Sequence, residues 1–158
     1  MISFDIIGLL ETWSDCKHEF KSLLDQYVYF DCVRSKPNNA LRNSGGVGVF
    51  VRSILLRESF ISHICQDFND CVVLHIKTGV FDLMNDMILY IAYVSPEASP
   101  IYNNLHENNG IALINRNISY LRDTYPDCYV YVAGDLNSRT KHFLDYIPDD
   151  TLQKISSV

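Results

Sequence analysis

Tyr129-Val130-Tyr131-Val132-Ala133-Gly134-Asp135-Leu136-Asn137-Ser138-Arg139-Thr140 joins an apolar run to a cluster of reactive side chains, and the other segments fall into place around it. Its first half is rich in β-branched and aromatic residues, as in a buried strand. Gly134 then breaks the run and lets the backbone turn. A carboxylate, a carboxamide, a hydroxyl and a guanidinium follow within five residues. In extended geometry Asp135 and Asn137 leave the chain on one side. Such a pair can hold a cation or a water and hydrogen-bond a phosphoryl oxygen. It can equally form an Asx-turn that caps its own backbone. This stretch alone does not separate the two.

The whole chain sets the bounds. Its 158 residues amount to one domain or a substantial piece of a larger one. With 47% hydrophobic and 20% charged residues, the composition is globular. A net charge of −6 and a pI near 5.2 argue against a general basic nucleic-acid coat, but not against a local phosphate site. Cys16, Cys32, Cys65, Cys71 and Cys128 are odd in number and form no Cys-x-x-Cys pair. Buried free thiols of a reducing compartment are therefore expected, and with them an intracellular location, cytoplasmic or nuclear. No signal peptide or membrane-length apolar run is present, so no membrane partner is expected. The sequon Asn117-Ile118-Ser119 reads as accidental.

Along the chain, residues 1–10 read as a strand, with Glu11-Thr12-Trp13 at its C-terminal end, where open α/β sheets place ligand sites. Cys16, Phe20, Leu23, Leu24 and Tyr27 recur at helical spacing. Strands are expected over 27–33, 47–52, 60–64, 71–77 and 87–94, with a loop at 38–46 and a polar loop opened by Pro96 and Pro100. Ile111, Ile114, Ile118 and Leu121 trace one helical face before the strand that carries Asp135. After Thr140 the pattern thins. Antiparallel strands framed by two helices imply a layered α/β fold rather than a plain doubly wound sheet.

Individually, the remaining candidates are ordinary. Glu11 could be a surface carboxylate at a helix start, Tyr93 a core tyrosine, and Gly45-Gly46-Val47-Gly48 a flexible turn into a strand. From Cys32 to Arg57 there is no Asp or Glu, whereas Arg34, Lys36, Arg42, Arg52 and Arg57 all occur there. That segment is either a steering surface for a phosphate-bearing substrate or a solvated loop.

Together, Asp5-Ile-Ile-Gly-Leu-Leu-Glu11-Thr-Trp, Gly45-Gly-Val-Gly-Val-Phe-Val-Arg52, Tyr90-Ile-Ala-Tyr93-Val-Ser-Pro96 and Gly134-Asp-Leu-Asn-Ser-Arg-Thr140, in this order and spacing, resemble the endonuclease/exonuclease/phosphatase (DNase I-like) family. The flavour is that of the apurinic-type endonucleases ahead of reverse transcriptases in non-LTR retroelements. Leu136 stands where Phe is commoner, and Gly48 where Ala is commoner. The resemblance implies part of a four-layer α/β sandwich, with this chain supplying roughly one mostly antiparallel sheet and its helices. It implies Glu11 as the metal ligand, Asp135 as the residue that positions or deprotonates the attacking water, Asn137 as its orienting partner, and Tyr93 as a phosphate contact. Arg139, Ser138, Arg34 and Arg42 are further candidates for the substrate phosphate. The implied cofactor is Mg²⁺, with Mn²⁺ as a substitute, and the implied substrate is DNA. A reverse transcriptase domain would lie downstream in a longer natural protein.

Family members also carry an earlier Asn-bearing strand and a second half ending in Ser-Asp-His. No Asp-His dipeptide occurs among the five histidines here. Residues 1–158 therefore read as a partial domain, lacking the N-terminal strand and the C-terminal half, with one apolar sheet face bare and activity impaired. The alternatives are a non-catalytic remnant and a phosphatase- or sphingomyelinase-like member of the same family.

Overall fold

In a computed structural model, the described residues are 4–14, 16, 19–34, 45–64, 68, 70–96 and 110–137. The elements are β1 (Ile6–Leu10), β2 (Tyr27–Cys32), β3 (Val47–Arg52), α1 (Ser53–Arg57), β4 (Ile61–His63), β5 (Cys71–Ile76), β6 (Met87–Tyr93), α2 (Gly110–Thr124) and β7 (Tyr129–Asp135). The expected strands stand, most of them shorter by a residue at one end or both. Residues 19–26 form turns rather than a helix, closed by bonds such as Leu23 N–H to the Phe20 carbonyl at 3.0 Å. The apolar spacing there serves single contacts: Phe20 meets Tyr29 edge-on, while Leu23 stays exposed.

The fold is α/β and mostly antiparallel, but it contains two sheets where about one was expected. Their orders are β1-β3-β2 and β4-β5-β6-β7, and only β6 and β7 are parallel, linked through α2. Strand alternation explains the division of residues. Val72, Leu74 and Ile76 of β5, with Ile91 and Tyr93 of β6, face Val47, Val49 and Val51 of β3 in a core between the sheets. Cys71, Val73, Ile88, Tyr90 and Ala92 point the other way, onto Ile114 and Leu121 of α2. Each aliphatic side chain fully buried in this way contributes about 1.5–3 kcal/mol. The two sheets cover each other, so the face expected to be bare is largely filled. An exposed part remains on β7, at Tyr129 and Tyr131.

On α2 the buried positions are Gly110, Leu113, Ile114, Asn117 and Leu121, with Ile111 turned outward. Asn117 donates its amide to the Tyr90 hydroxyl at 2.9 Å inside this layer. The sequon is thus structural in the folded protein. Of the cysteines described, Cys71 is buried, Cys32 and Cys128 are half-buried, and Cys16 is exposed; all four are free thiols. Burial of the thiols was therefore overestimated. Cys65 lies outside the described residues. Among the described residues no helix is long and apolar enough to cross a membrane.

Candidate functional site

Register brings the chemistry to one end of the sandwich. Leu10, Val47 and Cys32 are neighbours across the first sheet, and Cys71, Ala92 and Gly134 across the second. The residues just beyond them, Glu11, Arg34, Gly45, Gly46, Asp70, Tyr93 and Asp135, therefore share that end.

Tyr93 is the joint. It ends β6 and is 6% exposed, in the core between the sheets, as its core-tyrosine alternative required. Its hydroxyl nevertheless donates to Oε1 of Glu11, 82 residues earlier, at 2.5 Å. Asp135 is its register partner on β7, so the two side chains leave the sheet on the same face. Burial first, and then the hydrogen bond and charge of Glu11, push the Tyr93 phenol up to about 12; the Arg34 guanidinium opposes this and Asp135 adds to it. Tyr93 is therefore a neutral donor at physiological pH. Its single proton is committed to Glu11, which makes it a positioning residue for that carboxylate in this state.

The glycines acquire a reason. Glu11 and Trp13 take φ of 52° and 53° as the chain leaves β1. The N–H groups of Thr12 and Trp13 donate to the carbonyls of Gly46 and Gly45, at 3.3 and 2.9 Å. A Cβ on Gly46 would lie 2.6 Å from Thr12 Oγ1, and one on Gly45 would lie 2.7 Å from the Arg34 guanidinium. The glycine pair thus lets the Glu11 turn and Arg34 pack against one backbone, rather than serving as a flexible turn.

Gly134 does not end its strand as expected. It stays within β7 at φ 131°, where a Cβ would stand 1.9 Å from the Ala92 carbonyl oxygen. β7 therefore continues to Asp135, whose carbonyl accepts from Val94 N–H at 2.8 Å. Of the two interpretations of Asp-x-Asn, the Asx-turn is the one seen in the fold. Asp135 Oδ1 accepts the Asn137 backbone N–H at 2.9 Å, an Asx-turn with Asn137 at φ 44°. The Asn137 amide donates to the Val94 carbonyl at 2.7 Å, fastening the turn to the end of β6. Asn137 thus orients Asp135 through the backbone.

Arg34 is 8% exposed in its side chain. It is bonded through Nε to Asp70 at 2.7 Å, with its guanidinium 5.3 Å from the Tyr93 ring centroid. The described cations of the Cys32–Arg57 segment do not share one place. Arg34 lies inside the site end, whereas Arg52 pairs with Asp5 at the opposite end of β3. Lys36, Arg42, Ser138 and Arg139 lie outside the described residues. Sequence reasoning missed Asp70, whose carbonyl also accepts Tyr93 N–H at 3.0 Å. No local pattern marks it, since its partner is 36 residues away.

The donors at this end are oxygens: the Glu11 and Asp135 carboxylates, both exposed, and the Tyr93 hydroxyl. These hydrogen bonds engage one oxygen of each carboxylate, Glu11 Oε1 and Asp135 Oδ1. Capacity remains on each, because a carboxylate offers about four lone-pair sites. This donor set suits a hard divalent cation that keeps several of its own waters.

Comparison with known proteins identifies the family and the fold. A profile of the Endonuclease/Exonuclease/phosphatase family matches residues 2–148. Among solved structures, the human Nocturnin catalytic domain with bound sulfate anion superposes with a TM-score of 0.51 at 12% identity, over 85% of this chain and 52% of that one. The chain thus spans about half the length of that neighbour, whose likeness is one of fold. No curated protein matches.

Proposed function

The chain belongs to the endonuclease/exonuclease/phosphatase family, and on that premise we propose that the Glu11–Tyr93–Asp135 end is a site for divalent-metal-dependent hydrolysis of phosphodiesters in DNA. The single observation that carries this is the Tyr93–Glu11 hydrogen bond, with Asp135 beside Tyr93 in register. It brings two carboxylates separated by most of the chain to one polar rim.

In the proposed mechanism Glu11 holds the cation, Mg²⁺ by preference with Mn²⁺ as a substitute, and Tyr93 fixes the carboxylate that does so. When bound, the cation supplies charge neutralisation to a displacement at phosphorus. Asp135, held by the Asn137 turn, orients the attacking water and accepts its proton. Buried Arg34 supports the Tyr93 ring from behind and is a positioning residue.

The retroelement flavour of Gly134-Asp-Leu-Asn-Ser-Arg-Thr140 favours DNA, with a reverse transcriptase in the longer natural protein and an intracellular site of action. The net charge of −6 favours a second reading, a phosphatase acting on smaller phosphoesters. Supercoiled plasmid and an abasic duplex, assayed with and without Mg²⁺ beside a panel of soluble phosphoesters, separate them. The expected outcome is slow Mg²⁺-dependent nicking, lowered about 10²-fold or more by Asp135→Ala. A folded, Mg²⁺-binding chain that leaves every substrate intact identifies the non-catalytic remnant.

A further inference from the structure

The opposite end of the second sheet carries a different donor set. His75 lies on β5, Asp86 directly before β6, and Cys128 directly before β7. Asp86 Oδ2 lies 2.8 Å from His75 Nε2, Cys128 Sγ lies 3.9 Å from that same nitrogen, and the three donor atoms fall within 4.8 Å of one another. β6 separates this cluster from Tyr93, at roughly 20 Å for six residues of strand rise.

We infer that His75, Asp86 and Cys128 form a second cation site, selective for Zn²⁺ or another borderline-soft divalent ion. The inference is independent of the hydrolytic site. Three features support it beyond proximity. First, both the carboxylate and the thiol approach one ring nitrogen, a poor arrangement for a proton relay, which would use the two nitrogens of the ring separately. It is a natural arrangement for three donors around one point. Second, the carboxylate is held from behind, because Thr78 N–H donates to Asp86 Oδ1 at 2.8 Å and leaves Oδ2 toward the ring. Third, the two loops that bring Asp86 and Cys128 are clipped together by Tyr129 N–H to the Asp86 carbonyl at 2.9 Å and Asn85 to the Asp127 carbonyl at 3.4 Å.

Zinc bonds of about 2.0–2.3 Å in tetrahedral geometry require donor separations of roughly 3.3–3.8 Å. The His–Cys separation of 3.9 Å must close slightly to reach this range, and the His–Asp pair, at 2.8 Å, must open by about half an ångström. The side chains of His75 and Asp86 are 20% and 33% exposed, so an ion has access. One thiolate, one imidazole and one carboxylate exclude Mg²⁺ as the preferred occupant and leave a fourth position to water. The bound ion would tie β5 to the starts of β6 and β7.

The test needs no variant at first. The chelator-treated chain is alkylated with iodoacetamide with no metal, with Zn²⁺ or with Mg²⁺, and each cysteine is followed by peptide mass spectrometry. Zn²⁺ is expected to slow Cys128 alkylation at least 10-fold, Mg²⁺ to leave it unchanged, and Cys16 to be modified equally in all three. Titration with Co²⁺ is expected to give a thiolate-to-cobalt charge-transfer band at one equivalent, lost in Cys128→Ser and in His75→Ala. Cys128 alkylation at the same rate with and without Zn²⁺ would overturn the inference, as would a cobalt–thiolate band that survives Cys128→Ser.

Discussion

At the scale of single residues, two tyrosines show how far one hydroxyl's surroundings decide its use. Tyr93 and Tyr29 are both buried in strands, and both phenols are pushed up to about 12, burial being the first cause in each. Tyr93 directs its proton to Glu11. Tyr29 stacks obliquely on Phe50 at 4.7 Å between centroids and covers Gly48, where a Cβ would lie 2.2 Å from its oxygen. Its buried hydroxyl has no hydrogen-bond partner among the described residues. The expected behaviour of Tyr29→Phe has two parts. At neutral pH it is at least as stable as the parent, gaining up to about 1 kcal/mol, because a buried polar group with no partner among the described residues is removed. In alkali the sign follows from linkage. The unfolded chain loses this phenolic proton near its ordinary value of 10 while the folded chain keeps it to about 12, so stability falls as pH rises through that window. Tyr29→Phe removes that share of the fall. Denaturant titrations at pH 7 and pH 11 check both parts, and a variant that weakens the fold at neutral pH contradicts them.

At the scale of elements, the buried Arg34–Asp70 pair connects the end of β2 to the start of β5 across the two sheets. Both side chains are under one-tenth exposed, and the guanidinium lies over the Tyr93 ring. Breaking such a pair leaves an uncompensated buried charge, so Arg34→Met is expected to destabilise the fold by about 3–5 kcal/mol, and Asp70→Leu by a comparable amount. The combined Arg34→Met, Asp70→Leu variant should recover most of that loss. A double-mutant cycle measures it, and single losses below about 1 kcal/mol would show the pair to be unimportant.

The same pair marks the limit of what the chain discloses on its own. Val47–Arg52 and the strand carrying Asp135 were legible as strands because alternating or unbroken apolar runs have few other uses, but β7, whose composition suggested burial, has no buried residue. The segment 19–26 was misjudged because a helical spacing of apolar residues also suits turns whose side chains reach separate neighbours. Arg34 looked like a surface charge because nothing local reveals a carboxylate 36 positions away. His75, Asp86 and Cys128 were silent for the same reason: each is ordinary until β5, β6 and β7 align.

At the scale of the molecule, the two sheets divide their chemistry between their ends. Oxygen donors gather where β1, β6 and β7 terminate, and a mixed sulfur, nitrogen and oxygen set where β6 and β7 begin. The central claim is that Glu11 and Asp135 serve one hard cation at the first of these ends. Glu11 and Asp135 were legible as candidates from Leu-x-Glu-Thr and Gly-Asp-x-Asn, but the Tyr93 bond to Glu11 and the Tyr93–Asp135 register were visible only in the fold. The most direct measurement is site-resolved paramagnetic broadening of backbone amide signals on adding Mn²⁺. The account predicts that residues 10–12, 93–95 and 134–137 broaden together at low Mn²⁺, and that Glu11→Gln abolishes the effect at all three. Broadening that spares either the Glu11 or the Asp135 segment, or that persists unchanged in the variant, would contradict it.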